Sequence, residues 1–372
     1  MTFFLNYLLP FVVALTILVF IHELGHYLPA RRYGVKIDVF SIGFGPELFG
    51  YTDKAGTRWK FSLIPLGGYV KMFGDANAAS APASDALKGM SKGDFEKTLH
   101  SKSALQRMVI SFGGPFANFL FAIIAMIFLF AIKGHPVIPS KVMHVKADTV
   151  AAEIGLKAND EIVEFNHIPT KDFKELRQQI LSFEGKELSL AVKREGDEKP
   201  ITLSLIKAEP FAKPFQLGIV PSSPVFEQKG LGESVLASFT TTYQLSADIV
   251  KSVAQAIAGE RKAGDFGGIL AIGEMAGKTA QVSFATFVWF LILLSVNLGL
   301  LNLFPLPVLD GGAIVFCFVE AIIGRPVPHE VQEALYLVGF GVIMLLIMFV
   351  TWNDLVRFGI VSKIVSLLGF GG

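Results

Sequence analysis

The sequence predicts a polytopic α-helical membrane protein with four transmembrane helices, a membrane-associated β-hairpin region and one α+β domain outside the bilayer. Hydrophobic residues make up 52% of the 372 residues, charged residues only 17%, and the mean hydropathy is +0.53. A soluble globular protein of this length is less apolar. Crossing a bilayer takes about 20 apolar residues. Four stretches are long enough, near residues 4–28, 108–132, 282–303 and 334–353.

Composition also excludes several classes of protein. The formal net charge is +1, so no nucleic-acid partner is expected. The only cysteine, Cys317, rules out an internal disulfide. No Lys or Arg precedes the first apolar stretch, which argues against a cleavable signal peptide, so we expect this segment to be retained as a membrane helix.

The first apolar stretch ends in a metal-binding motif. It carries no charge from Phe3 to Ile21 and is followed by His22, Glu23 and His26 at H-E-x-x-H spacing. On a helix, two imidazoles four residues apart project from one face, so one metal ion can bind both. Glu23 is then the candidate general base. Ionisable groups at membrane depth are costly and persist mainly where they have a function. The alternative is a chance match on an apolar helix.

The distribution of charge predicts the orientation in the membrane. The loop from Arg31 to Arg107 holds twelve Lys and Arg against seven Asp and Glu, so the positive-inside rule makes it cytoplasmic. Both termini and the segment between the second and third spans are then extracytoplasmic. The histidine pair lies toward the cytoplasmic side. This layout fits the inner (plasma) membrane of a bacterium.

The cytoplasmic loop contains strand-like sequence. Residues 59–72 are typical of strands but are interrupted by a proline and a glycine pair, which predicts a bent hairpin. An apolar hairpin beside a membrane site can dip into the interface and offer its edge to an extended peptide. The candidate edge is formed by Gly67, Gly68, Tyr69 and Val70. A surface hairpin without a substrate role fits the sequence equally well.

Two further segments connect the predicted units. Residues 75–97 are rich in Ala, Ser, Pro and charged residues, which predicts a flexible linker. Residues 230–260 interleave Ala, Val and Ile with Ser, Lys and Gln. This second pattern predicts an amphipathic helix that lies at the membrane interface and leads to the third span.

Residues 137–222 predict a small soluble α+β domain. One helical pattern runs from Asp172 to Phe183, and short β-rich runs surround it. The predicted strands are residues 142–145, 161–165, 188–192 and 201–206.

A catalytic zinc site usually has three protein ligands, so a third ligand should accompany the two histidines. The best candidate is Asp310, which follows a long uncharged run and the sequence Asn-Leu-Phe-Pro-Leu-Pro-Val-Leu. Prolines prevent a regular helix there, and Gly311 and Gly312 permit a tight turn that aims the carboxylate at the metal. The third span enters from outside, which places Asp310 at the cytoplasmic depth of the histidines. A solvated residue at a helix end is the alternative.

Three asparagines near the predicted spans are further candidates. Asn118, at the start of the second span, could donate a hydrogen bond to the substrate carbonyl or its oxyanion. It could equally bond between helices, as asparagine often does in membranes. Asn297 and Asn302 allow the same two interpretations, and packing is favoured for Asn297.

Three motifs together resemble the site-2 protease family of intramembrane zinc metalloproteases, peptidase family M50. They are HELGH in the first span, GPFAN at the second and NLFPLPVLDGG at the third, and the similarity is strongest to the bacterial regulator-of-sigma-E type. The resemblance implies one zinc ion per chain, with His22, His26 and Asp310 as ligands and Glu23 as the catalytic acid/base. It also implies a hairpin and membrane loop at residues 40–73 and a substrate-binding role for Asn302.

The soluble insert resembles a PDZ domain. Residues 151–162 are similar to the segment that in PDZ domains carries a Gly-Leu, a Gly-Asp and a following Ile, with Asn159 in place of the usual glycine. The resemblance places a loop for peptide carboxylates near the end of the insert, where its backbone N–H groups would hold a peptide terminus. A strand–loop corner without a ligand is the alternative. This candidate peptide-binding loop consists of Gln216, Leu217, Gly218 and Ile219.

The resemblance implies hydrolysis of a peptide bond in the transmembrane helix of a single-span membrane protein. Regulated intramembrane proteolysis of an anti-sigma factor, or removal of signal-peptide remnants, is the expected setting. One alternative is a membrane PDZ adaptor that binds peptide termini and has lost catalysis, although the ligand and base residues are complete. Another is a zinc transporter, which would need His or acidic residues along a path, and the second and fourth spans contain none.

The expected organisation has seven segments. These are a first transmembrane helix (1–35), a cytoplasmic loop with hairpin and linker (36–107), a second transmembrane helix (108–133), the PDZ-like domain (134–225), an amphipathic linker helix (226–280), a third transmembrane helix with the aspartate (281–312), and a fourth transmembrane helix with a tail (313–372).

Overall fold

The computed structural model describes residues 4–75, 89–207, 209–211, 215–222, 225–228, 230–260, 267–359 and 361. The contacts between residues divide the chain into two units. The first unit combines Met1–Leu129 with Val235–Gly372, and the second is Phe130–Ser234.

Four helices in the described part of the chain are long and apolar enough to cross a membrane, as the sequence predicts. The first is α1 (Leu9–Arg32), which continues a π-helical turn at Phe4–Leu8. The others are α3 (Ala104–Lys133), α8 (Phe284–Asn302) and α10 (His329–Arg357). Many of their large apolar side chains are exposed in the isolated chain, as expected for helices that face lipid.

The third membrane helix ends before the aspartate. Helix α8 ends at Asn302, and a separate helix α9 (Asp310–Ile323) begins at the aspartate itself. The expectation that Asp310 closes the third span and is followed by a glycine turn is therefore wrong. The prolines do break the helix, but Gly311 and Gly312 lie in the first turn of α9.

Two helices precede the third span. Residues 230–260 contain α6 (Leu231–Ile257), which confirms the predicted helix, while its location at the membrane interface stays a prediction. Helix α7 (Ile269–Val282) follows and packs against α1 and α8. Apolar side chains of these three helices, among them Phe11, Ala276 and Phe290, form one buried cluster.

The strand-rich part of the cytoplasmic loop consists of β1 (Ile37–Thr52) and β2 (Arg58–Met72). Residues 59–72 are therefore one long strand rather than a hairpin by themselves. The two strands fold so that residues 39–42 pair on one side with 58–61 and on the other with 68–71. Large apolar side chains remain exposed along them, namely Phe44, Leu48, Phe49, Tyr51, Leu63 and Ile64.

Part of the segment predicted as a linker forms helical structure. Residues 76–88 lie outside the described residues. After them the chain forms a short helix α2 (Lys92–Phe95), whose first turn is capped by Ser91, and a 3₁₀ turn at Leu99–Ser101. The backbone N–H of Lys36 donates to the carbonyl of Lys97. Residues 91–97 therefore form a capped helical turn with a tertiary hydrogen bond, while the flexibility of the linker stays a prediction.

The second unit is an α+β domain. All four predicted strands and the predicted helix are present. The elements are β3 (His135–Val137), β4 (Val142–Val145), α4 (Val150–Glu153), β5 (Glu161–Phe165), β6 (Ile168–Pro169), α5 (Phe173–Ser182), β7 (Glu187–Lys193), β8 (Ile201–Ile206), β9 (Ile219–Pro221) and β10 (Val225–Glu227). A four-stranded antiparallel sheet has the order β6-β5-β7-β8, and a two-stranded sheet pairs β4 with β9.

Alternation along β7 and the apolar face of α5 build the core of this domain. Leu188, Leu190 and Val192 of β7 pack with Leu176 and Ile180 of α5. Burying such side chains stabilises the domain by roughly 1.5–3 kcal/mol each.

Candidate active site

Helix α1 brings the two histidines of the H-E-x-x-H motif together, as their spacing predicts. The Nε2 atoms of His22 and His26 lie 3.2 Å apart, and their ring centroids are separated by 4.8 Å. Both side chains are only 12% exposed. The two histidines line a cavity, and Glu23, which lies between them in the sequence, lines it too.

Asp310 lies next to the two histidines in space, although more than 280 residues separate them in the sequence. Its Oδ2 lies 3.3 Å from Nε2 of His22, and its Oδ1 lies 3.4 Å from Nε2 of His26. One ligand atom from each of the three residues falls within a mutual distance of 4.8 Å. Within the described ranges, no other group of three or more His, Cys, Asp or Glu residues comes together in this way.

The two glycines after Asp310 serve close packing rather than a turn. A Cβ atom on Gly311 would lie 2.3 Å from the carbonyl oxygens of Leu303 and Phe304, and one on Gly312 would lie 2.3 Å from that of Leu306. Such distances are far below van der Waals contact. The first turn of α9 therefore lies directly on the residues that link it to α8, and this places Asp310 next to α1.

Small residues let α3 approach α1 at backbone contact. A Cβ atom on Gly25 would lie 2.2 Å from the carbonyl oxygen of Gly113, and one on Gly114 would lie 2.2 Å from Nε2 of His26. The close approach brings the carbonyl of Ile110 within 2.8 Å of Nδ1 of His26. This backbone contact has no signature in the sequence beyond the small residues themselves.

Asn118 does not line the cavity. Its side chain is fully buried, and its amide lies 3.0 Å from Nδ1 of His22. Asn118 is therefore not placed to donate a hydrogen bond to a substrate in this cavity, because its polar group is engaged behind the histidine ring. The open alternative, a hydrogen bond between helices, matches this geometry.

Asn302 does line the cavity, with its amide 3.5 Å from Nε2 of His22.

The predicted hairpin edge lies only partly at the site. Gly68, Tyr69 and Val70 line the cavity with Glu23, whose Cγ lies 3.2 Å from the position of a Cβ on Gly68. Gly67 faces elsewhere: a Cβ there would lie 2.6 Å from the ring of Phe44. Gly67 does not line the cavity, and its part in a substrate-binding edge stays a prediction.

The cavity has a volume of about 510 Å³ and reaches beyond the histidines. Its lining includes Arg107, at the start of α3, which forms an ion pair with the buried Glu320 of α9. The backbone N–H of Val327 also donates to Glu320. Neither charged residue was singled out from the sequence, although a lone carboxylate in the apolar stretch around Glu320 is the kind of signal that marks a tertiary partner.

The candidate peptide-binding loop of the second unit is well packed. Leu217 is buried in the domain core, while Gln216 is exposed. Gly218 has φ of +86°, and Ile219 begins β9. Asn159, in place of the usual glycine, has φ of +72°. Asparagine tolerates this left-handed conformation better than most residues, so the departure from the PDZ pattern is conformationally mild.

Four membrane-length helices among the described residues, an H-E-x-x-H motif and a converging aspartate define the chain as a membrane metalloprotease by class. A model of peptidase family M50 matches residues 10–346. The chain belongs to this family, and it is an intramembrane zinc metalloprotease of the site-2 protease type.

Curated relatives agree over nearly the full length. A protein of Agrobacterium fabrum named as a zinc metalloprotease is 36% identical over 363 residues, which cover 95% of this chain and 96% of the relative. One from Rickettsia conorii with the same type of name is 36% identical, covering 94% and 98%. The metalloprotease MmpA of Caulobacter vibrioides is 32% identical, covering 98% and 99%. These names favour the enzyme over the adaptor and the transporter.

Proposed function

We propose that His22, His26 and Asp310 hold one zinc ion, and that Glu23 is the acid/base for hydrolysis of a peptide bond in the transmembrane helix of a single-span protein. The observation that carries this proposal is the convergence of three ligand atoms within 4.8 Å beside a fourth ionisable group, Glu23, in one cavity. Regulated intramembrane proteolysis is the setting we infer.

The donor set suits zinc. Two imidazole nitrogens and one carboxylate oxygen form the type of three-ligand set that catalytic zinc sites use, with a fourth position left open. Two of the three donors are imidazole nitrogens, which suit zinc better than calcium or magnesium, since those ions prefer six or more oxygen ligands. Zinc bound by these residues would supply a Lewis acid for the scissile carbonyl and make water a better nucleophile near neutral pH.

Glu23 is suited to move the proton of the reaction. Its carboxylate takes a proton from the attacking water as the new carbon–oxygen bond forms. It then delivers this proton to the amide nitrogen as the carbon–nitrogen bond breaks, which gives a carboxylic acid and an amine. The position of Glu23 between the histidines and β2 supports this role, since a peptide lying along β2 would pass beside it.

We infer that the substrate is bound in extended form. A helical peptide keeps its amides in intrahelical hydrogen bonds, so cleavage requires local unwinding. Pairing with the backbone at Gly68, Tyr69 and Val70 would replace those lost bonds. The amide of Asn302, which faces the same cavity, would hydrogen-bond to the substrate backbone. The exposed apolar side chains of β1 and β2 support insertion of this region into the membrane interface.

The location we propose is the inner membrane of a bacterium. The excess of Lys and Arg between Arg31 and Arg107 supports a cytoplasmic position for β1 and β2. Both termini and the second unit would then be extracytoplasmic. In that compartment the PDZ-like unit would bind peptide termini through residues 216–219, and anti-sigma factors or signal-peptide remnants are the proposed substrates.

The test uses the purified full chain in detergent with a single-span model substrate. Glu23→Gln should keep its zinc, measured by elemental analysis, and lose cleavage by about 10²-fold or more. Asp310→Ala should lose zinc. Glu233→Gln, on the exposed face of α6, is the matched control and should leave both unchanged. Full cleavage by Glu23→Gln would remove the proposed base, and full zinc content in Asp310→Ala would remove the third ligand.

A further inference from the structure

The hydrogen bond between Asn118 and His22 joins the second membrane helix to the proposed metal centre. We propose that Asn118 is a positioning residue, which holds the ring of His22 in the tautomer and orientation that direct Nε2 toward the metal. This inference rests on the proposed function, because it takes His22 as a ligand. It concerns a residue that neither touches the cavity nor contributes a ligand atom.

The two ring nitrogens of His22 have different surroundings. Nε2 faces Asp310 and His26, at 3.3 and 3.2 Å. Nδ1 faces the amide of Asn118 at 3.0 Å. A histidine that binds metal through one nitrogen carries its proton on the other, and the partner of that proton sets the ring orientation. Asn118 is the side chain in the position of that partner.

The amide of Asn118 offers both a donor and an acceptor. Its Oδ1 is buried and, among the residues that the structure describes, has no hydrogen-bond partner. A half-turn of the amide exchanges Oδ1 with Nδ2. Oδ1 then accepts from the Nδ1–H of His22, and Nε2 is left with a free lone pair. This arrangement gives the oxygen a partner, moves the NH₂ group to the side where the oxygen had none, and selects the tautomer that metal binding requires.

His26 shows the same arrangement with a backbone partner. Its Nδ1 lies 2.8 Å from the carbonyl oxygen of Ile110. A carbonyl can only accept, so Nδ1 of His26 donates and Nε2 is free. Ile110 and Asn118 both belong to α3. Helix α3 therefore contacts the Nδ1 atoms of both imidazoles. It uses the side chain of Asn118 for His22 and the backbone carbonyl of Ile110 for His26.

Asn118 is itself held in place. The hydroxyl of Ser295, on α8, donates to its backbone carbonyl at 2.9 Å. A Cβ atom on Gly299 would lie 3.2 Å from the Cβ of Asn118, so α8 covers it closely. A side chain with zero exposed area and fixed backbone has few other rotamers available. These contacts make Asn118 a rigid support for the ring.

The test measures zinc affinity of the purified full chain by competition with a chromogenic chelator. Asn118→Leu keeps the side-chain volume but removes the acceptor, and should weaken zinc binding by about 10–100-fold. Asn118→Asp keeps an acceptor for Nδ1–H and should retain at least ten times more affinity than the Leu variant. Thr242→Ala, which removes a buried side-chain hydrogen bond within α6 and touches neither His22 nor Asn118, is the control and should bind zinc like the parent chain.

A spectroscopic readout separates positioning from general stability. Cobalt(II) bound in place of zinc gives visible absorption bands that report ligand geometry. Asn118→Leu should shift these bands while Thr242→Ala should not. If Asn118→Leu is poorly folded, Asn118→Ala gives the same comparison without the larger apolar side chain. Parent-like zinc affinity together with parent-like cobalt bands in the Leu or Ala variant would overturn the inference.

One further variant separates this inference from the proposed function. His22→Ala should lose zinc whatever the role of Asn118. If His22→Ala binds zinc as tightly as the parent chain, the proposed metal site is wrong and Asn118 has no ligand to position. If His22→Ala loses zinc but the Asn118 variants do not, only the role of Asn118 is wrong.

Discussion

The carboxylate of Asp354, near the end of α10, accepts a hydrogen bond from the backbone N–H of Gly268 at 2.9 Å. Its other oxygen accepts from the N–H groups of Leu270 and Ala271. The first N–H groups of a helix have no partner within it, and here the carboxylate is the partner for the start of α7. A Cβ atom on Gly268 would lie 2.7 Å from this carboxylate, so glycine makes the approach possible.

We expect Asp354→Leu to loosen the start of α7. The substitution leaves three N–H groups without their acceptor at a buried site, and each lost acceptor costs roughly 1–3 kcal/mol. Hydrogen–deuterium exchange in detergent should show faster exchange at residues 268–271. The thermal midpoint of the chain should fall.

Asp248→Leu is the matched control for this prediction. Asp248 lies on the exposed face of α6, where surface substitutions usually change stability by no more than about 0.5 kcal/mol. Unchanged exchange at residues 268–271 in Asp354→Leu would show that water or another group replaces the carboxylate, and would contradict the proposed capping.

The contact of Gly114 with the histidine pair gives a second prediction. A methyl group at this position would lie 2.2 Å from Nε2 of His26 and 2.9 Å from Cε1 of His22. Gly114→Ala should therefore displace a ring or separate α1 from α3, with loss of zinc and of cleavage. Alanine favours helices over glycine by about 1 kcal/mol, so lower intrinsic helix propensity cannot explain such a loss.

Gly232→Ala provides the comparison for Gly114→Ala. Gly232 lies in α6, and a Cβ atom there would meet nothing within 4 Å. The substitution should leave zinc content and cleavage unchanged and stabilise the helix slightly. Normal zinc content in Gly114→Ala, measured by elemental analysis, would mean that α3 lies farther from the rings than the structure describes.

Local patterns explain what the sequence could predict. The four membrane spans follow from runs of apolar residues, and His22 and His26 meet because they are one helical turn apart. The strands of the second unit follow from alternation, as in β7, where the buried face is apolar. Asp310 was predicted at the site by topology, because the third span returns to the depth of the histidines.

Long-range packing explains what the sequence could not predict. The prolines predict the break in the helix before Asp310. That the two glycines then lie in the first turn of a new helix depends on its packing against Leu303 and Leu306, which no local pattern reveals. The partner of Asn118 depends on the backbone contact between α1 and α3. The partner of Asp354 lies more than 80 residues earlier. Such partners are chosen by tertiary structure, and no local pattern specifies them.

The ion pair between Asp160 and Arg194 gives a third prediction, which concerns the acid sensitivity of the second unit. Asp160 is 1% exposed and accepts two hydrogen bonds from Arg194, at 2.7 and 2.8 Å, and one from the backbone N–H of Lys157. Burial alone would raise the pKa of Asp160, but these hydrogen bonds and the positive charge of Arg194 outweigh it and hold the pKa below its ordinary value.

A carboxylate with a lowered pKa stabilises the folded state above its unfolded pKa of about 3.9 and loses that contribution as the pH falls toward the folded value. We therefore expect the midpoint of the second unit's unfolding, followed by scanning calorimetry of the full chain, to fall between pH 5 and pH 3 more steeply in the parent chain than in Arg194→Met. At pH 7 the variant should be less stable by on the order of 3 kcal/mol, the lower end for a broken buried pair, because Arg194 is 24% exposed. Lys207→Met, which removes the exposed pair with Glu153, should change stability by no more than about 1 kcal/mol. Equal acid sensitivity in the parent chain and Arg194→Met would show that Asp160 does not depend on Arg194 for its low pKa.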